Sequence, residues 1–255
     1  MPPTVVMIHG MWGGGWCWGN FRDLFEREGF RCEVPTLRFH DVDPAGEPDP
    51  RLGTTSLLDY AQDLERLIRA LGEKPILLGH SMGGLLSQML AARGLARAAV
   101  LFAPAPPAGI FALRPSVIRS FLSGLTRWRF WAKPFRQTFG EAAYSMLGLL
   151  SPEDRRSVYD RFVYESGRAA SEIGFWPFDP NGAARVDESR VRCPLLIVAG
   201  RRDKITPVAV TRRVARKYAH VAKYDELNDH AHWMVGEPGW EGVAQHVLNW
   251  LRGIF

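Results

Sequence analysis

Cysteine is scarce, with three residues, Cys17, Cys32 and Cys193, in a chain of 255. Three thiols cannot complete a disulfide framework, and each stands beside an expected strand or in an aromatic cluster, so buried free thiols are expected. Long hydrophobic runs are missing too. No stretch approaches the roughly 18 consecutive apolar residues that a membrane-spanning helix needs. The chain enters its first strand by Thr4 with no basic leader or cleavage site, and a soluble, cytoplasmic protein is expected. No pair among the seven histidines has metal-ligand spacing backed by cysteine or carboxylate partners, so no catalytic metal is expected. Acidic residues are absent from Lys74 through Gly140.

What is present points to one α/β domain. At 46% hydrophobic content the chain can bury an ample core. The most informative string is GHSMGG at 79–84. It places Ser81 in a G-x-S-x-G frame after the apolar run Ile76, Leu77, Leu78 and ahead of Leu85, Leu86, Met89 and Leu90 at helical spacing. A sharp strand-to-helix turn lifts such a serine out of the fold, and small neighbours at Gly79 and Gly83 allow strand and helix to approach. Ser81 is therefore read as a nucleophile.

A serine hydroxyl needs a base to take its proton and a carboxylate to orient that base. The segment PLLIVAGRRDKITP at 194–207 offers Asp203 a few residues past an apolar strand, where a loop faces the site of an open α/β sheet. A solvated turn or the N-cap of a helix near Val208 is the blander reading. Two histidines compete for the base, His230 and His232, in ELNDHAHWMVGEP at 226–238, and His232 is preferred.

In the order serine, acid, histidine this set resembles the α/β-hydrolase superfamily. There the last strand usually ends in a pattern like L-P-G-A-G-H-W. Leu227 plus five is His232, followed by Trp233, although Asn228, Asp229 and His230 replace the usual proline, glycine and alanine. The resemblance implies an α/β-hydrolase fold: a mostly parallel twisted sheet, helices on both faces and an inserted helical cap. It also implies that His9 is structural and bonds its own loop. His80 reads as shaping the elbow, and His40, His220 and His246 as surface or packing residues.

The string HGMWGGGWCW at 9–18 follows the first apolar segment. Acyl transfer builds an oxyanion that two backbone N–H groups must hold. The resemblance assigns these to Met11 and Met82. Trp12 and Trp233 are expected at the substrate pocket. The glycines lack the lysine and serine or threonine of a phosphate-binding P-loop, and Trp18 stands where a dinucleotide fingerprint requires its third glycine. No cofactor is expected. Locally the string looks most like the branch of plant hydroxynitrile lyases and methylesterases, and bacterial carboxylesterases share it.

Strands are expected near 4–9, 32–35, 75–79, 98–102, 195–199 and 221–227, with helices near 20–28, 56–71, 81–93 and 240–252. Leu57, Tyr60, Ala61, Leu64, Leu67, Ile68 and Leu71 form one stripe of the second helix, and Ser56 with Asp59 suits a capping box. Such alternation implies a parallel sheet. From about Pro104 to Arg190 the strand rhythm gives way to many aromatics. The division is a core of 1–103 and 191–255 with a helical cap at 104–190.

Net charge is +5, from 32 basic and 27 acidic residues. Arg114, Arg119, Arg127, Arg129, Lys133 and Arg136 are interleaved with aromatics in the cap. This reads as a solvated surface or as an attraction for anionic substrates or lipid interfaces, with weak interfacial contact. No recognition motif supports nucleic-acid binding.

The resulting expectation is a serine hydrolase of carboxylic esters acting on a small, apolar substrate through an acyl-enzyme. A carbon–carbon bond hydrolase of ring-cleavage products, a hydroxynitrile-lyase-like or cofactor-free oxidative enzyme, and a noncatalytic ligand receptor use the same fold. The resemblance excludes haloalkane dehalogenase and soluble epoxide hydrolase activity, which need an aspartate at the elbow.

Overall fold

The apolar runs of the sequence form the strands of a computed structural model that describes residues 3–255. In chain order the main sheet contains β1 (Thr4–Ile8), β2 (Arg31–Glu33), β3 (Ile76–His80), β4 (Ala98–Phe102), β7 (Leu195–Gly200) and β8 (Ala222–Leu227), with a small pair, β5 (Pro134–Phe135) and β6 (Glu165–Ser166), between β4 and β7. The six run β2-β1-β3-β4-β7-β8 and every pairing is parallel, with Val6 opposite Leu77, Leu78 opposite Val100 and Val100 opposite Leu196. Every residue of β1, β3, β4 and β7 is buried. A strand covered on both faces has no solvent side for polar residues, which is why these segments read as continuous apolar runs.

Helices α1 (Gly19–Arg27), α2 (Leu57–Ala70), α3 (Met82–Ala92), α9 (Val208–Lys217) and α10 (Trp240–Ile254) connect and close the sheet. From β1 the chain steps one way to β2 and then back across to β3. Right-handed crossovers in opposite directions put their helices on opposite faces. α1 and α10 pair on one side, with the Phe21 and Trp240 rings 6.1 Å apart. The capping box of α2 is formed: Ser56 accepts from the Leu58 N–H, and the Asp59 carboxylate accepts from the Ser56 N–H at 2.9 Å. Leu57, Tyr60, Ala61, Leu64 and Ile68 bury its apolar stripe, while Leu67 and Leu71 are half-buried.

Strands β4 and β7 are neighbours, so residues 104–190 leave the sheet at one edge-on point and return to it. They form α4 (Pro115–Ser120), α5 (Leu122–Leu125), α6 (Phe139–Ser145), α7 (Pro152–Asp160) and α8 (Gly167–Gly174), all short, besides β5 and β6. Two buried carboxylates fasten this segment to α2. Glu165 accepts from Tyr60 Oη at 2.8 Å and faces His40 Nε2 at 3.1 Å. Glu172 accepts from Ser56 Oγ and the Leu57 N–H, both at 2.8 Å. His40 is thus no surface residue. Burial alone would lower its pKa, but the Glu165 carboxylate outweighs that and holds it above the ordinary value.

Cys17 is buried and its thiol pushed up to about 12 by burial, whereas Cys32 and Cys193 are half-buried; all three are free. Among the described residues no helix is long and apolar enough to cross a membrane.

Candidate active site

Ser81 joins β3 to α3 at φ 55°, ψ −118°. Such backbone costs an L-residue on the order of 1–3 kcal/mol and persists only where its surroundings fix it. Here the Ser81 N–H donates to the Phe102 carbonyl at 2.9 Å, and the Ser81 carbonyl accepts from Gly84 and Ala105, both at 2.9 Å. Helix and strand meet so closely that a Cβ on Gly83 would collide with the Ile8 carbonyl oxygen, and one on Gly79 with the Gly83 carbonyl oxygen. Serine at a helix N-cap normally turns its oxygen back onto the first turn. In this elbow it does not cap, and the hydroxyl makes no hydrogen bond among the described residues.

Asp203 follows the end of β7 and is 6% exposed. Its Oδ1 accepts from the N–H groups of Ile205 at 2.7 Å and Thr206 at 2.9 Å; Oδ2 accepts from Thr206 Oγ1 at 2.7 Å and from His232 Nδ1 at 2.8 Å. Burial works to raise this carboxyl, but the imidazole and the Thr206 bonds outweigh it and hold it below the ordinary value. It is neither a solvated turn residue nor the cap of α9, whose N-cap is Pro207.

His232 is fully buried in the loop after β8. His80, next to Ser81, donates its Nε2 proton to the His232 carbonyl at 2.7 Å, and the two rings lie 4.9 Å apart. Burial first, then the neighbouring His232, pushes His80 down to about 3, so it stays neutral. His230 is turned elsewhere: its Nδ1 meets Glu237 Oε1 at 2.9 Å, and the same oxygen accepts from the Ala231 N–H at 2.7 Å. With Nδ1 on Asp203, His232 keeps Nε2 buried and unpartnered. His9 donates from Nδ1 to the Gly10 carbonyl at 2.8 Å and accepts from the Leu37 N–H at 3.0 Å, bracing the loop after β1.

Ser81 opens into a cavity of about 730 Å³, its mouth included. Met11 and Met82 line it too, and neither backbone N–H donates a hydrogen bond among the described residues. Buried backbone donors are nearly always paired, and these two unpaired ones belong to residues that line the cavity Ser81 opens into. Residues 104–190 supply most of the remaining wall, including Val117, Phe121, Phe130, Phe135, Ile173 and Phe175. No lining residue is charged, and Ser81 and Thr206 carry the polar side chains.

Trp12 and Trp233, expected at the pocket, do not line this cavity. Trp12 is drawn behind the wall, packing on Phe121 at 5.3 Å and Phe135 at 5.6 Å. Trp233 packs against Trp16 at 5.8 Å and Phe162 at 6.3 Å and borders a separate surface depression with Arg161. Among the described residues no three His, Cys, Asp or Glu side chains form a group that could hold a metal ion.

The family model described as the alpha/beta hydrolase family matches residues 5–245. The chain belongs to the alpha/beta hydrolase family. Its curated relatives include Methylesterase 9 of Arabidopsis thaliana, 32% identical over 82 residues, and Methylesterase 17 of the same plant, 35% identical over 86 residues. These matches cover 31% and 33% of the chain, and the chain spans only 30% of the length of either relative. A monoacylglycerol lipase of Paleococcus ferrophilus superposes with a TM-score of 0.71 over 98% of this chain and 95% of its own, at 22% identity, a likeness of fold.

In this alpha/beta hydrolase the sequence signals missed the Glu237 clamp, the Thr206 hydroxyl and the residues of 104–190 that line the cavity. Glu237 stands five positions after His232 in the quoted GEP string, and Thr206 three after Asp203. Both lie close enough along the chain for a loop-closing role to have been suspected.

Proposed function

We propose that this alpha/beta hydrolase cleaves carboxylic esters by acyl transfer to Ser81. In this reading His232 takes the serine proton as the hydroxyl attacks the ester carbonyl, then returns it to the departing alcohol. Asp203 holds the imidazole in the Nδ1–H tautomer and stabilises it when charged. The N–H groups of Met11 and Met82 receive the oxyanion. Water, deprotonated by His232, then releases the acid and restores the serine.

One observation carries the proposal: an unbonded serine hydroxyl at a strained elbow opens into an apolar cavity that Met11 and Met82, whose backbone N–H groups are unpaired, also line. Beside the elbow stands a histidine whose Nδ1 is tied to Asp203 and whose Nε2 is unpartnered. Free N–H donors suit an oxygen that gains charge during the reaction. The methylesterase relatives and the lipase of like fold support an ester as substrate. The uncharged wall favours a neutral, apolar acyl group, and residues 104–190 act as the cap that roofs it.

The substrate class is tested with p-nitrophenyl esters from acetate to palmitate, comparing the chain with Ser81→Ala. Turnover that rises above acetate and vanishes in the variant supports the reading. A wild-type chain that cleaves no ester, or a variant that retains turnover, overturns it.

A further inference from the structure

Exposed apolar side chains are concentrated on one part of the molecule. Of the ten exposed large hydrophobic residues among the described ones, seven belong to residues 111–178, and the two most exposed are Trp128 at 79% and Phe178 at 84%. Single exposed hydrophobics are ordinary, whereas a group of them marks an interaction surface. Two of them mark the way into the cavity. Leu113 and Ile118 are cavity wall and yet 40% and 43% exposed, so they stand at its mouth. Trp128 packs on Trp131 at 6.5 Å, Trp131 on Phe130 at 5.8 Å, and Phe130 on Phe175 at 6.0 Å. Phe130 and Phe175 are themselves wall. The outer rings are therefore the exposed end of an apolar layer whose inner end faces Ser81.

Charge along this stretch is mostly positive, with Glu141, bonded to the Ser123 N–H and hydroxyl, as a carboxylate among it. Arg114, Arg119, Arg127, Arg129 and Lys133 are exposed, and no Asp or Glu occurs from Lys74 through Gly140. None of the five pairs with a carboxylate among the described residues, although arginines elsewhere do, as Arg38 with Asp63 and Arg212 with Glu226. Arg119 lies over the Tyr144 ring at 3.8 Å and Arg127 donates to the Pro134 carbonyl at 3.1 Å. Arg114, Arg129 and Lys133 make no such contact. Asp179, beside Phe178, is half-buried and accepts from the N–H groups of Asn181 and Ala183.

We propose that this face docks on an anionic lipid surface. Trp128, Trp131 and Phe178 enter the boundary between headgroups and acyl chains, Arg114, Arg129 and Lys133 meet the headgroup phosphates, and the cavity mouth opens toward the acyl region. Aromatic and aliphatic side chains beside unpaired cations are the composition that binds such a boundary. A protein partner would have to supply both an apolar patch and several carboxylates. An anionic lipid surface offers an apolar boundary and negative phosphates everywhere. Docking goes beyond ester hydrolysis and is measurable without turnover, so either reading can fail alone.

The test is flotation of the Ser81→Ala chain with vesicles of phosphatidylcholine, alone or mixed with phosphatidylglycerol. Binding to the mixed vesicles is expected to exceed binding to phosphatidylcholine and to weaken as salt rises. Each cation removed should weaken it about fivefold, so Arg114→Gln/Arg129→Gln should lose about 25-fold. Trp128→Ser/Trp131→Ser/Phe178→Ser should lose about tenfold or more. In the Ser81 background the same triple variant should keep its thermal midpoint and its rate on p-nitrophenyl acetate. The proposal fails if the Ser81→Ala chain floats with neither vesicle, or if the two variants float as well as their parent. It fails equally if the face instead holds two copies of the chain together, seen as a dimer that the triple variant dissolves.

Discussion

Glu237 reaches back across the loop to His230, with Oε1 2.9 Å from Nδ1, and the same oxygen takes the Ala231 N–H at 2.7 Å. The residue after Ala231 is His232. One buried carboxylate thus holds both the competing histidine and the backbone that carries the imidazole on Asp203.

This arrangement separates the two histidines experimentally. His232→Ala should lower kcat/KM by about 10³-fold or more, because it removes the base, while His230→Ala should stay within about tenfold of the parent. Steady-state kinetics of the two variants on one ester decides it. The reverse ranking would move the base to His230.

Glu237→Ala should leave the Ala231 N–H buried and unpaired, a loss of about 1–3 kcal/mol. The expected result is a lower urea midpoint together with a fall in kcat larger than the change in KM. An unchanged kcat would show that the loop holds His232 without the clamp.

Replacing Asp203 with Asn keeps the shape but offers His232 an amide in place of the carboxylate that receives Nδ1–H. The loss in kcat should approach about 10⁴-fold, as expected when the base sits in the wrong tautomer. Thr206→Val, which deletes one bond to the same carboxylate oxygen, should cost far less, because three acceptor contacts of Asp203 remain.

Stability should fall on acidification. Burial holds His9 and His80 neutral down to about 3, whereas unfolded they take a proton near 6.5. Between these values the unfolded chain binds more protons, so each histidine removes up to about 1.4 kcal/mol per pH unit as pH drops. His40 has the opposite sign: its pKa is raised, so its contribution is full below 6.5 and is lost as pH rises through the folded value. Urea unfolding at pH 7.5 and 5 should find the parent weaker at 5, His80→Gln less dependent on pH, and His40→Gln more so. A parent more stable at pH 5 would contradict this.

The sheet was legible because its inner strands are buried on both faces, leaving apolar runs that nothing else in a chain of this length explains. Ser81 and Asp203 stand within a few residues of a strand end, whereas His232 was preferred over the nearer His230 only through the resemblance of its strand-end pattern. The segment 104–190 was legible only as an interruption. Its helices are too short for a periodic stripe, so sequence could not tell that Phe121 and Ile173 face the cavity while Trp128 faces out. His40 could be read only as a surface or packing residue, because its partner Glu165 lies 125 residues away and neither position belongs to a recognisable spacing. Trp12 was expected at the pocket, yet its backbone, at φ 62°, accompanies a ring packed behind the wall.

The most direct test of the account is covalent trapping of the nucleophile. The chain is treated with a p-nitrophenyl phosphonate bearing an alkyl group, which leaves its phosphonyl group on an activated serine and releases p-nitrophenol. Intact mass and peptide mapping then locate the adduct. The account predicts one adduct per chain, on the peptide containing Ser81, absent from Ser81→Ala and formed far more slowly in His232→Ala. An adduct on another residue, or ester turnover that survives in Ser81→Ala, would contradict it.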